Sequence, residues 1–203
     1  MSLAPIVLEF DNMTFVKEVT ANTITALMRA MNDTASRSRT MSARAAREQV
    51  NFPASYLSPS AKRLWVKTKA RRNALMTVIE GRGDPTSLAR FTKQKPLSGG
   101  ARHKGGKINV TVKPGQTKAI PRAFLLRLRN GNIGLAVRTE GEPPKGAWKP
   151  RSLGRNLWLL YGPSVDQVLS SVKNGNGVYD DITPETLAYL EKEFFRQMEY
   201  LNG

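Results

Sequence analysis

Residues 123–138 read Ala-Phe-Leu-Leu-Arg-Leu-Arg-Asn-Gly-Asn-Ile-Gly-Leu-Ala-Val-Arg. Two apolar runs, Ala123 to Arg129 and Ile133 to Arg138, flank Asn130-Gly131-Asn132. Asn-Gly readily takes the positive φ angles of a tight turn whose twist matches that of paired strands, so this stretch predicts a β-hairpin. Upstream, Lys107-Ile108-Asn109-Val110-Thr111-Val112-Lys113 alternates, with Ile108, Val110 and Val112 on one face, and ends at the turn signal Pro114-Gly115. Further back, Leu64–Lys69 and Leu75–Ile79 read as two more strands joined at residues 70–73. Strands at this spacing imply a small, mainly antiparallel sheet over about residues 61–160.

Helical signals lie outside that region. Ile6 to Phe10 suits a short strand or an extended lead-in, and Asp11 or Asn12 can cap a helix beginning there. Phe15, Val16, Val19, Ile24, Leu27, Met28 and Met31 keep a helical period, and neither Pro nor Gly intervenes before Pro53. The expectation is one long helix over about 12–50, with a break at Asn32-Asp33-Thr34 as the main alternative, because short polar side chains compete for the backbone there. Near the other end, Tyr161-Gly162-Pro163-Ser164-Val165 turns the chain into a helix with Pro163 at its first position, stopping at Asn174-Gly175. Thr183-Pro184-Glu185 starts the last helix, whose Leu187, Leu190, Phe194, Met198 and Leu201 form one stripe. Asp180 and Asp181 then precede that helix. The fold class is α+β: a long N-terminal helix and C-terminal helices at about 163–202 packed on a small sheet, with long basic loops, as a single domain over 1–203.

Charge is unevenly spread. Of the formal +16, the span from Arg29 to Arg129 carries 23 Lys and Arg against four acids, and the remainder is slightly acidic. Such a field favours nucleic acid or an acidic protein surface. Arg37, Arg44 and Arg47 fall on one helix face, slimmed by neighbouring alanines, which either approaches a phosphate backbone or an acidic neighbour or is simply a solvated surface. The loop at 93–106, with Lys104 before Lys107, is too polar to form core, and the Pro/Gly-rich stretch at 141–156 reads as an exposed excursion. Trp148, in the second of these, is costly to leave wet and reads as an interface anchor. Trp65 and Trp158 lie in apolar strands and read as core.

Convergent chemistry is scarce. The chain has no cysteine, which removes disulfides and thiolate zinc sites. His103, the only histidine, sits in the flexible loop with nothing to orient it. Phosphate-cradling glycine spacing and a Gly-x-Ser-x-Gly elbow are both missing. We expect no enzyme activity, cofactor or metal. Without a basic n-region or a long apolar run, no secretory signal or membrane span is expected, and the chain reads as soluble and made in the cytoplasm.

Taken in order, several segments resemble the minor tail protein Z family of tailed bacteriophages and prophages. They are the Arg/Ala-rich helix from Ser36 to Arg47, the Trp/Lys strand after it, Leu88-Ala89-Arg90-Phe91 and the alternating strand at 107–113. After these come Ala123-Phe124 leading through Asn130-Gly131 to Val137-Arg138, then Leu160-Tyr161-Gly162-Pro163-Ser164-Val165, and a terminal helix ending in Tyr200-Leu201. The Tyr-Gly-Pro-Ser-Val junction is the most specific of these, and residues 141–156 are longer and more basic than the family pattern. The resemblance implies a virion protein, assembled in the host cytoplasm, that completes the head-proximal end of the tail and helps form the head–tail junction. Its partners would be copies of itself in a ring, six-fold by analogy with tail tubes, and neighbours such as tail terminator, tail tube or head connector, with contact to packaged DNA. Tyr161 and Pro163 are then either partner contacts or a strand-to-helix turn in which Tyr161 fills a core pocket. The rival reading is a basic nucleic-acid-binding or architectural protein. It lacks the aromatics interleaved with cations that a base-stacking platform needs.

Overall fold

The computed structural model describes residues 6–9, 20–97, 106–146, 150–170 and 177–203. It has the expected α+β composition, with an N-terminal helix, a C-terminal helix and small antiparallel sheets. The chain divides into two compact units: Met1–Ala46, Leu57–Gly83 and Val165–Gly203 in the first, Arg47–Tyr56 and Asp84–Ser164 in the second.

In the first unit, strands β1 (Ile6–Glu9), β2 (Leu64–Thr68) and β3 (Met76–Gly81) form an antiparallel sheet in the order β1-β3-β2. The β2–β3 register shifts between Val66 and Thr68, and Lys67 and Lys69 stay exposed. Helix α1 runs Ala21–Gln49. It begins later than the period suggested, because Thr20 caps it: its hydroxyl accepts from Thr23 N–H at 3.1 Å. Asp11 and Asn12, the expected caps, lie outside the described residues. No break occurs at Asn32. Its amide instead bridges to Ala70, donating to the carbonyl at 3.1 Å and accepting from the N–H at 2.9 Å, so the competition with its own backbone is removed. Leu27, Ala30 and Met31 pack with Ala70 and Leu190 into a core.

Helix α2 spans Val165–Ser170, so Pro163 stands two residues ahead of it rather than at its first position. The Asn174-Gly175 stop lies outside the described residues. A Cβ on Gly81 would meet Leu169 Cδ1 at 2.8 Å and the Asp166 backbone at 3.1 Å, which is why β3 ends in glycine beneath α2. Helix α3 spans Val178–Asn202, starting five residues before Thr183, and Pro184 is inside it. The Asp180 carboxylate accepts from Gly177 N–H at 2.9 Å, and Asp180 and Asp181 occupy the first turn, where the dipole favours them. The two acids therefore belong to the helix instead of preceding it. Its buried side is Val178, Ile182, Thr186, Leu190, Glu193 and Gln197, whereas Leu187 is 48% exposed, so the expected stripe is rotated.

In the second unit, β4 (Thr86–Ser87) is followed by a 3₁₀ turn at Leu88–Phe91. The hairpin of β5 (Lys107–Lys113) and β6 (Gln116–Pro121) turns at Gly115, whose φ is +74°. Ile108 and Val110 are buried as the alternation requires; Val112 is half-buried, since the register shifts before Lys113. The expected hairpin forms: β7 (Ala123–Arg127) pairs with β8 (Ile133–Arg138) across Gly131 at φ +79°. β8 continues into β10 (Leu157–Leu159) and then β9 (Arg151–Ser152), completing an antiparallel sheet ordered β7-β8-β10-β9. The excursion at 141–156 is thus partly ordered into a strand. Trp65 and Trp158 are half-buried rather than core, and the Trp158 indole donates to Thr139 Oγ1 at 3.0 Å. β11 (Tyr161–Gly162) pairs with β4. Phe52 centres an aromatic cluster, with ring centroids 5.7 Å from Tyr56 and 5.8 Å from Phe91.

Acid sensitivity arises from one buried contact in the first unit. Glu193 accepts from Arg196 Nε at 2.9 Å and from Gln197 Nε2 at 2.9 Å. The Arg196 hydrogen bond, against the opposing effect of burial, holds its carboxyl at about 2 instead of the ordinary 4.5. A depressed folded-state value contributes stability that is present above about 4.5 and lost as pH falls toward 2. Asp33 opposes this in part, since burial and the neighbouring Glu193 raise its value in the folded state. Thermal melts of wild type should therefore drop steeply between these pH values, and Glu193→Gln should melt lower at neutral pH with a shallower acid limb. Parallel acid limbs in the two proteins would contradict the assignment.

Candidate interaction surfaces

Cations concentrate in the second unit, which holds 17 of the 32 Lys and Arg but only four of the 16 acids, Glu48, Asp84, Glu140 and Glu142. Its two hairpins enclose an open cleft of about 1650 Å³. The corner between them is a single residue: Arg122, at φ +57°, joins β6 to β7 and donates its amide to the Gly106 carbonyl at 2.8 Å. A non-glycine residue at positive φ costs energy, and here the flanking strands hold it. Strand alternation puts Ile108, Val110, Lys118 and Ile120 on one face of the β5–β6 hairpin. Ile108 and Val110 are covered, but Ile120 is half-buried and Lys118 is exposed, and both line the cleft. Phe124, Val112 and Tyr161 add apolar surface, while Lys113, Arg122, Arg138 and Lys145 stand around it against Glu140. An apolar floor within a cationic rim suits a partner that is both apolar and acidic.

The expected contact residues divide between the two units. Arg37 is exposed on α1 and already engaged: it pairs with Glu185 at 3.0 Å and lies 4.6 Å from the Tyr189 ring centre. Arg44 is exposed, and Arg47 Nε donates to the Phe52 carbonyl at 3.3 Å. Lys107 is exposed on the face of β5 opposite Ile108 and does not line the cleft. Tyr161 does line it, half-buried in β11, whereas Pro163 does not. Lys104, His103 and Trp148 lie outside the described residues.

Two features escape a linear reading. Arg39 is buried, and its guanidinium donates to the carbonyls of Leu57 and of Leu64, the latter at 3.0 Å. Burial lowers its pKa. The signal available in the sequence is that Arg39 shares its inward side with Ala35, Ser38, Ser42 and Ala46, small residues that leave room for a long side chain. The second feature is the outer face of α3, where Leu187, Glu191, Phe195 and Glu199 are exposed at four-residue intervals. Such spacing makes one strip along a helix.

Among the described residues, no helix is long and apolar enough to cross a membrane, and no group of three or more His, Asp or Glu could hold a metal ion. No protein-family model, curated protein or solved structure matches the chain.

Proposed function

We propose that this chain is a structural protein of a tailed-phage particle, one that completes the head-proximal end of the tail and helps to form the head–tail junction. It acts there by binding and assembly rather than catalysis, as a ring of copies, probed first at six-fold symmetry, against terminator, tube or connector proteins. The observation that carries this reading is the cleft of the second unit, whose apolar floor inside a cationic rim suits a folded partner. The family-like order of Leu88–Phe91, 107–113, Asn130-Gly131 and Tyr161–Val165 supports placing that partner in a tail. Particles made without the protein should contain heads and tails that fail to unite or that leak DNA in negative-stain images. Normal, infectious particles would overturn the proposal.

The excess of 13 cations in the second unit favours a second reading, nucleic-acid binding. Each phosphate neutralised would add about −0.9 to the slope of log K against log salt. A protein that joins tails should bind duplex DNA weakly and bind purified tails with a much shallower salt dependence. The reverse order of affinities and slopes would favour the second reading.

A further inference from the structure

We infer that the cleft of the second unit receives the outer face of helix α3 from another copy of this chain. The inference deepens the proposed function and rests on it, for it names the surfaces by which ring neighbours join. The occupant is argued from complementarity. The strip on α3 pairs two unusually exposed apolar side chains, Leu187 at 48% and Phe195 at 58%, with Glu191 and Glu199 between and beyond them. Asp180 and Asp181 lie at the start of the same helix, in its first turn. The cleft offers the opposite pattern: Ile120, Phe124 and Val112 as apolar floor, with Lys118, Arg138 and Lys145 at its edge.

Sizes agree as well. Leu187 and Phe195 are eight residues apart, roughly 12 Å along a helix axis. A helical segment that long and about 10 Å wide occupies roughly 900 Å³, which a cleft of about 1650 Å³ accommodates. The two surfaces differ, so the contact is heterologous: each copy offers α3 to one neighbour and the cleft to the other, and the chain of contacts either closes into a ring or grows as a filament. Each copy carries a formal +16, which opposes association, so the contact places acids of one copy against the cations of the next.

The test uses the full chain in sedimentation experiments over a range of concentration and salt. Wild type should self-associate, and added salt should weaken association. Charge reversal on either side alone, Lys118→Glu with Lys145→Glu or Glu191→Lys with Glu199→Lys, should weaken it at least about tenfold. Mixing the two reversed proteins in equal amounts should restore association, because alternating copies place unlike charges at every contact of an even-membered ring, and the quadruple variant should likewise recover most of the loss. Leu187→Asp with Phe195→Asp should abolish association while leaving the melting temperature near wild type, because both side chains are already exposed. A monomeric wild type, reversed variants that assemble as wild type does, or a quadruple variant no better than either pair would each overturn the inference. If association fails while particles lacking the protein still contain unjoined heads and tails, only this interface is lost. Normal particles would overturn the neck role itself.

Discussion

Phe52→Ala is expected to cost about 3–5 kcal/mol, the usual range for emptying a buried aromatic site. Phe52 is 1% exposed and sits between Tyr56 and Phe91, whose rings are too constrained to close over the space left behind. Tyr56 is itself held by a 3.2 Å hydrogen bond between its hydroxyl and Thr86 Oγ1, and Arg90 lies 4.7 Å from its ring centre. The adjacent Asn51 ties this segment to β5, its N–H donating to the Val112 carbonyl at 2.7 Å and its amide to the Thr111 carbonyl at 3.2 Å. The hole would therefore open beside both β4 and β5, the strands that lead into the cleft. For a chain of 203 residues each kcal/mol moves the midpoint by about 2–4 °C, so Tm should fall by at least about 6 °C. The exposed Ile133→Ala serves as control and should stay within about 0.5 kcal/mol. A Phe52→Ala protein that melts within a few degrees of wild type would contradict the packing described.

Arg39 carries the second large effect. Replacing it with methionine keeps much of the aliphatic volume but leaves the carbonyls of Leu57 and Leu64 without their donors. Buried groups stranded in this way cost about 1–3 kcal/mol each, and the pair should cost about 2–4 kcal/mol. Arg39→Lys is informative because it preserves the charge. A lysine tip cannot reproduce the planar fork that reaches two carbonyls from one stem, so the substitution should recover less than half of the loss. Arg44→Ala, at an exposed position of the same helix, should be nearly silent. Chemical denaturation of the four proteins decides the matter. Equal stability of Arg39→Met and Arg44→Ala would mean that the guanidinium does no structural work.

Features encoded over a few residues were legible in the sequence. Asn130-Gly131 announces its hairpin and Pro114-Gly115 its turn, because turn geometry depends on the residues in the turn. The starts of α1 and α3 were misplaced for one reason: several local signals competed. Asp11, Asn12 and Thr20 are all acceptable caps by residue type; the first two lie outside the described residues, and Thr20 bonds the next turn. Thr183-Pro184-Glu185 matches a helix start, yet Gly177 and Asp180 begin α3 earlier, and the helix carries Pro184 inside at the loss of one backbone bond. Long-range partners left no local trace. Nothing near Asn32 points to Ala70, nothing near Tyr161 points to Ser87, and Arg39 looks like its exposed neighbour Arg37 until the carbonyls it serves are brought to it. The basic cleft was legible as charge but not as shape, since its walls come from two hairpins joined by the corner at Arg122. The acidic strip on α3 was hidden because the helical period alone puts Leu187 on the buried side.

Where the protein resides in an intact particle tests the central proposal most directly. Purified particles from cells encoding this chain can be labelled with an antibody to it, imaged, and assayed for its copy number by mass spectrometry. The proposal predicts a small fixed number of copies, with label confined to the junction of head and tail. Particles free of the protein, or label spread along the tail or over the capsid, would contradict it.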